Sequence, residues 1–144
     1  MSSVIDAVVN FLSDVFAQPV WVQLWAVWMV VVIVAAPVAM RKYGAARRDH
    51  LLVAASTVVL IVAVPLWHSQ VGYVRLVGLP HIPVWTPLAV YLYWRRKHLS
   101  SPWQLRWVVY VFMVTIVVSL AFDYVDAVRY LLGERAPVNV PAAG

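Results

Sequence analysis

The chain has 144 residues, 64% of them hydrophobic and only 12% charged, against roughly 45–50% apolar content in soluble domains. That much apolar surface excludes a soluble globule, and a net charge of +5 gathered at a few points reads as loops facing anionic lipid, not as a nucleic-acid surface. The lack of cysteine excludes disulfides, thiolate metal sites, thiol nucleophiles and lipidation on Cys.

Residues 1–18 have no basic segment of the kind that opens a secretory leader, so they are expected to stay in the mature protein. Val4, Ile5, Val8, Val9, Phe11, Leu12, Val15 and Phe16 fall on one side of a helical wheel, with Asp6, Asn10, Ser13 and Asp14 largely opposite. An amphipathic helix follows from that period. Ser3 and Asp6 make a capping-box pattern with Asp in place of Glu, and acids suit the first turns of a helix. Two placements fit this helix, flat in the membrane interface or packed against the bundle.

Residues 19–132 carry the membrane domain, read as four spans at about 20–40, 51–67, 83–94 and 103–123. Pro19 opens the first, which carries no charge before Arg41. A basic loop, Arg41 to His50, leads to the second, where Pro65 is expected to kink the helix. The segment HSQVGYVRLVGLPHIPVWTP from His68 to Pro87 holds too many prolines and glycines for one straight helix. Residues 69–77 are expected to form a short interfacial or re-entrant helix that Gly78 terminates. The third span, starting near Pro83, covers only about 20 Å. Ser100 or Ser101 is expected to cap the fourth helix, with Pro102 at its first position. That helix runs on to about residue 132, roughly 45 Å in all, and residues 133–144 read as a disordered tail.

Orientation comes from the basic residues. Eight of the eleven, Arg41, Lys42, Arg47, Arg48, Arg95, Arg96, Lys97 and Arg106, fall on the side of the two short loops. That side is expected to be cytoplasmic, which puts both termini outside. Two aromatic belts accompany it, Tyr43, Tyr91, Tyr93, Trp94, Trp103 and Trp107 inside, and Trp21, Trp67, Tyr73, Trp85, Tyr124 and Tyr130 outside. The fold expected is therefore an all-α integral membrane protein of four transmembrane helices plus an N-terminal amphipathic helix, in a bacterial inner membrane.

The sequence carries no nucleotide loop, zinc-protease helix, serine elbow or paired catalytic carboxylates, and no catalytic residue or metal site is assigned. Four residue sets stand out as candidate binding groups. Trp21, Trp25 and Trp28 share a face of the first span and give way to Ala35, Ala36 and Ala39, which suits belt or bundle packing, with an aromatic-walled pocket as the alternative. Thr115, Ser119, Asp123 and Asp126 form a polar stripe on the fourth helix, facing the bundle or a wet vestibule, although a solvated helix end would also explain the two acids. Arg75 is the only charge between Asp49 and Arg95; it can snorkel to water or lipid phosphate, or pair with Asp123 or Asp126. With His81, Trp85 and Thr86 it could also form an anion or head-group site. The histidines pair as His50 with His98 and His68 with His81, but the roughly 27 Å between His50 and His68 along one helix puts any two b-type haems at the interfaces, so no cofactor is expected.

The function expected from these features is that of a non-enzymatic subunit or scaffold binding lipid or partner transmembrane helices, as a homo-oligomer or within a larger membrane complex, with no nucleic-acid partner. A small homo-oligomeric channel or transporter is the alternative, followed by a lipid-modifying enzyme and a haem electron carrier.

Overall fold

A computed structural model describes residues 3–72 and 75–135. These form five α-helices and no strand: α1 Val4–Phe16, α2 Val20–Lys42, α3 Arg47–Val71, α4 His81–Arg95 and α5 Trp103–Leu131, with a single 3-10 turn, Arg75–Gly78, between α3 and α4. Three of them, α2, α3 and α5, are long and apolar enough to cross a membrane. By length and composition the chain is a helical membrane protein. At 15 residues, about 22 Å, α4 is the short element that the sequence led us to expect.

Several boundaries differ from the sequence reading. Helix α3 starts at Arg47 and runs through Pro65 to Val71, so residues 69–71 continue a spanning helix and do not open an interfacial one. Gly72 ends it at φ +74, a conformation that a side chain disfavours, with its amide on the His68 carbonyl at 2.7 Å. Helix α4 starts at His81, two residues before Pro83. The cap expected from Ser100 or Ser101 is not made: Pro102 takes the cap position of α5 without a side-chain hydrogen bond, and Ser100 Oγ donates to the Lys97 carbonyl instead.

Helices α2, α3, α4 and α5 close into a ring in which α2 and α4 each pack against both α3 and α5. Arg95 at the end of α4 meets Asp49 at the start of α3, while His81 at the start of α4 meets Asp123 late in α5. Neighbours therefore run antiparallel, as short connections require. The ring has a basic end, where α2 meets α3 and α4 meets α5, and an acidic end bearing Asp14, Asp123, Asp126 and Glu134. Between them the core is apolar and enclosed, with Met40, Val53, Leu92, Leu105, Phe112 and Ile116 each at most 1% exposed. Helix α2 buries 17% of its most apolar window, against 33% for α3 and α5, so it turns the largest apolar share outward.

One buried contact repairs a local defect. Pro37 sits inside α2 and has no N–H, which leaves the Ile33 carbonyl one turn earlier without its helical donor. The Thr57 hydroxyl of α3 donates to that carbonyl at 2.8 Å, where Ile33 and Thr57 are each 7% exposed. In lipid a freed backbone group needs such a partner.

Helix α1 packs on the bundle along one face and keeps a second apolar face outward. The capping box forms, with the Ser3 amide on Asp6 Oδ2 at 2.9 Å and the Asp6 amide on Ser3 Oγ at 3.2 Å, and the Ser3 amide is the main cause that holds the Asp6 carboxyl below its ordinary range. Ala7 and Val15 are buried against the bundle, and Phe11 sets its ring edge on His68. Ile5, Val9, Leu12 and Phe16 form a second, exposed apolar strip. The Gln23 side chain of α2 reaches back to the Phe16 and Gln18 carbonyls at 3.0 and 2.7 Å, satisfying acceptors that the end of α1 leaves open.

Of the aromatic belts, Trp94, Trp103, Trp107 and Tyr93 lie exposed at the basic end and Trp21 and Tyr124 at the acidic end. Trp85 does not belong to a belt: it is 1% exposed and stacks on His81 inside the ring. Tyr91 is likewise withdrawn, its hydroxyl on Asp49. Tyr73 and residues 136–144 of the expected tail lie outside the described residues.

Candidate functional site

At the acidic end the ring is not filled. A cavity of about 520 Å³ opens among the five helices and the 3-10 turn, within the size range of small-molecule sites. Its walls include Phe11, Val22, Trp21, Trp25, Met29 and Phe122, and its polar lining is Arg75, His81, Ser119, Asp123, Asp126 and Arg129.

Each polar group is held by a local feature of the sequence. Helix α5 stops at Gly133, whose φ of +112 allows a Schellman turn: the Gly133 amide bonds the Tyr130 carbonyl and the Glu134 amide bonds the Arg129 carbonyl, at 3.1 and 3.0 Å. That turn presents the Glu134 carboxylate to Arg75 at 3.0 Å, while Asp126 binds the same guanidinium at 2.9 Å. Glu134 therefore belongs to the site and not to a disordered tail. The backbone of the Arg75 turn is fixed from the other side by Trp67, whose Nε1 donates to the Leu76 carbonyl at 2.8 Å. Arg75 is thus the ion-paired residue of the two alternatives, and its partners are Asp126 and Glu134.

Asp123 takes a different partner. His81 Nδ1 lies 3.0 Å from Asp123 Oδ2, with side chains 11% and 14% exposed, and the imidazole stacks on Trp85 with ring centres 4.5 Å apart. A carboxylate this enclosed is not a solvated helix end. Gly78 explains how the turn comes so close: a Cβ there would collide with Asp123 Oδ1. A second His–Asp contact, His68 Nε2 to Asp14 Oδ2 at 2.8 Å, ties α3 to α1 nearby.

The polar stripe divides along its length. Thr115 and Ser119 are 2% and 4% exposed and face α2, where Thr115 accepts from Trp28 Nε1 at 3.1 Å and Ser119 Oγ donates to Met29 Sδ at 3.3 Å. Of the candidate residues, Arg75, His81, Asp123, Asp126, Ser119, Trp21 and Trp25 line the cavity; Trp28, Trp85, Thr86 and Thr115 do not. Thr86 bonds the Tyr124 hydroxyl at 3.0 Å in a contact between α4 and α5. Trp28 lines an adjoining apolar groove of about 540 Å³ together with Trp21, Leu24, Trp25 and Phe122. Ala36 is buried but Ala35 is exposed, so the tight packing expected of the alanine end holds for one side only.

Sequence reasoning missed Asp49. Placed in the first turn of α3, it is 0% exposed and accepts from Arg95 Nε and Nη2 at 3.2 and 2.9 Å and from the Tyr91 hydroxyl, with Arg48 over the Tyr91 ring. The signal available was a single acid among eight bases at that end. This cluster staples α3 to α4 and encloses no space. Among the described residues no three His, Asp or Glu side chains converge as a metal site would require.

Comparison with protein-family models, curated proteins and solved structures finds no match to this chain.

Proposed function

We propose that the chain is a four-span, non-enzymatic scaffold or subunit of a bacterial inner membrane, and that it binds a lipid in the acidic-end cavity. The observation that carries this reading is the make-up of the cavity. Aromatic and aliphatic walls meet a charged floor, and the walls continue through Trp21, Trp25 and Phe122 into an apolar groove between α2 and α5. That is the division of chemistry an amphipathic ligand presents.

The fourth span in this reading is α4. Its first residue contacts Asp123 at the acidic end and its last contacts Asp49 at the basic end, so it reaches both levels despite its length. The orientation, termini outside, is supported by the eight basic residues gathered at one end. The exposed strip of α1 then lies at the outer interface, where the helix is attached to the bundle by Asp14. A conducting path along the ring of a single chain draws no support, because Phe112, Ile116, Leu92 and Met40 close the core below the cavity.

Native mass spectrometry of protein extracted in mild detergent is the test. A retained lipid, lost on substituting Phe122 and Trp25 with Ala, is the expected result. Protein that sheds all lipid under conditions that keep it folded would refute the reading.

A further inference from the structure

The charges that line the cavity are mixed, and this selects among lipids. Arg75 and Arg129 are cationic, Asp123 and Asp126 anionic, and His81, the first residue of α4, contacts Asp123. Arg75 is already compensated by Asp126 and Glu134. The Arg129 guanidinium is exposed and has no hydrogen-bonding partner among the described residues. It lies one turn beyond Asp126 on the same helix, close to the Schellman turn that holds Glu134.

An anionic head group entering this space would gain Arg129 but meet two carboxylates, and a purely cationic one would gain the carboxylates but meet two guanidiniums. A head group bearing both signs meets neither penalty. Its phosphate takes the open Arg129 guanidinium, in the charge-assisted geometry that arginine favours. Its ammonium takes the Asp126 carboxylate, whose second oxygen is not on Arg75, with the more enclosed Asp123 carboxylate adding negative charge beside it. A primary ammonium donates a hydrogen bond to that oxygen, which a quaternary one cannot do.

The rest of the ligand follows from the shared walls. Trp21, Trp25 and Phe122 border both the charged cavity and the apolar groove, whose other walls are Leu24 and Trp28. All three of Trp21, Trp28 and Phe122 are about half exposed or more on the outward face of α2 and α5. A head group in the cavity therefore has an apolar surface groove leading away from it along α2 and α5 for an acyl chain. We infer that the cavity and groove together bind one zwitterionic aminophospholipid, phosphate on Arg129, ammonium on Asp126 beside Asp123, and one acyl chain along Trp21, Trp25, Trp28 and Phe122.

This assignment rests on the lipid-binding reading above, and the test separates the two. Purified protein is titrated with phosphatidylethanolamine, phosphatidylcholine and phosphatidylglycerol of identical acyl composition, and with soluble glycerophosphoethanolamine, and bound stoichiometry is read by native mass spectrometry. Phosphatidylethanolamine should bind at 1:1 and about tenfold more tightly than either other lipid, the scale of one charge-assisted hydrogen bond. The soluble head group should not compete at equal concentration. Arg129→Gln and Phe122→Ala alter exposed side chains, and each should weaken phosphatidylethanolamine about tenfold without changing the thermal unfolding temperature. Equal binding of all three lipids, tighter phosphatidylglycerol, or wild-type affinity in Arg129→Gln would overturn the head-group assignment and leave lipid binding standing. Competition by the soluble head group would overturn the role of the groove. No binding of any lipid by folded protein would remove both.

Discussion

The hydrogen bond from Thr57 to the Ile33 carbonyl that Pro37 leaves open gives the cleanest quantitative test of how the bundle is held. Thr57→Val keeps the branched shape but deletes the hydroxyl that donates to the Ile33 carbonyl at 2.8 Å. Pro37 has already removed that carbonyl's own helical donor, and the site is buried, so the variant leaves an acceptor with no partner from the chain or from water. A net hydrogen bond is worth about 0.5–1.5 kcal/mol, and an orphaned buried acceptor costs about 1–3 kcal/mol. Interhelical hydrogen bonds in membranes average about 0.6 and reach about 1.7 kcal/mol. The hydroxyl also lies 3.1 Å from the Val53 carbonyl of its own helix, but that carbonyl is not the one Pro37 has deprived of its helical donor, so we expect the upper part of that range, about 1–1.7 kcal/mol. Pro37→Ala restores the missing N–H, so in that background Thr57→Val should cost less than about 0.5 kcal/mol, a coupling of about 1 kcal/mol. Equilibrium unfolding of the four proteins in mixed micelles measures it. An equal cost of Thr57→Val in both backgrounds, or no cost in the wild type, would show that the hydroxyl does not serve the proline-freed carbonyl.

Three further outcomes are expected. Arg95→Met should destabilise by about 3 kcal/mol or more, since it strands the 0%-exposed Asp49, whereas Asp49→Asn should cost less because the Arg95 side chain, 31% exposed, can turn to water; thermal unfolding in detergent compares them. Gly78→Ala drives a Cβ onto Asp123 Oδ1 and should cost roughly 1–3 kcal/mol by displacing that carboxylate from His81, an effect that should largely vanish in an Asp123→Ala background and would disprove the close approach if it persisted there. In intact cells a membrane-impermeant maleimide should label Asn10→Cys and spare Ser100→Cys, and the reverse pattern would invert the topology.

Much of the site was visible in the chain as unconnected parts. Arg75, His81, Ser119, Asp123 and Asp126 stand out in sequence because a polar group among apolar neighbours costs free energy unless it is paired. Their pairing was not visible, since Arg75 had two acids within reach and the choice between them depends on where the turn sits. Gly78 and Trp67 decide that: one lets the turn close on Asp123, the other holds its backbone by Leu76. Asp49 escaped notice because a lone acid in a basic loop resembles a solvated charge until α4 brings Arg95 and Tyr91 onto it.

By itself the sequence determined the helices and the membrane, because a run of about 20 apolar residues, a proline at a helix start and a glycine at a helix end act through neighbours along the chain. The capping box of α1, the short α4 and the stop at Gly133 belong to that local order. Only the tertiary structure decided that α4 closes the ring, that Thr57 serves the carbonyl freed by Pro37, and that Glu134 turns back to Arg75. Those contacts join residues 24 to 59 positions apart, and hydropathy, which is summed along the chain, carries no information about which distant polar groups will meet.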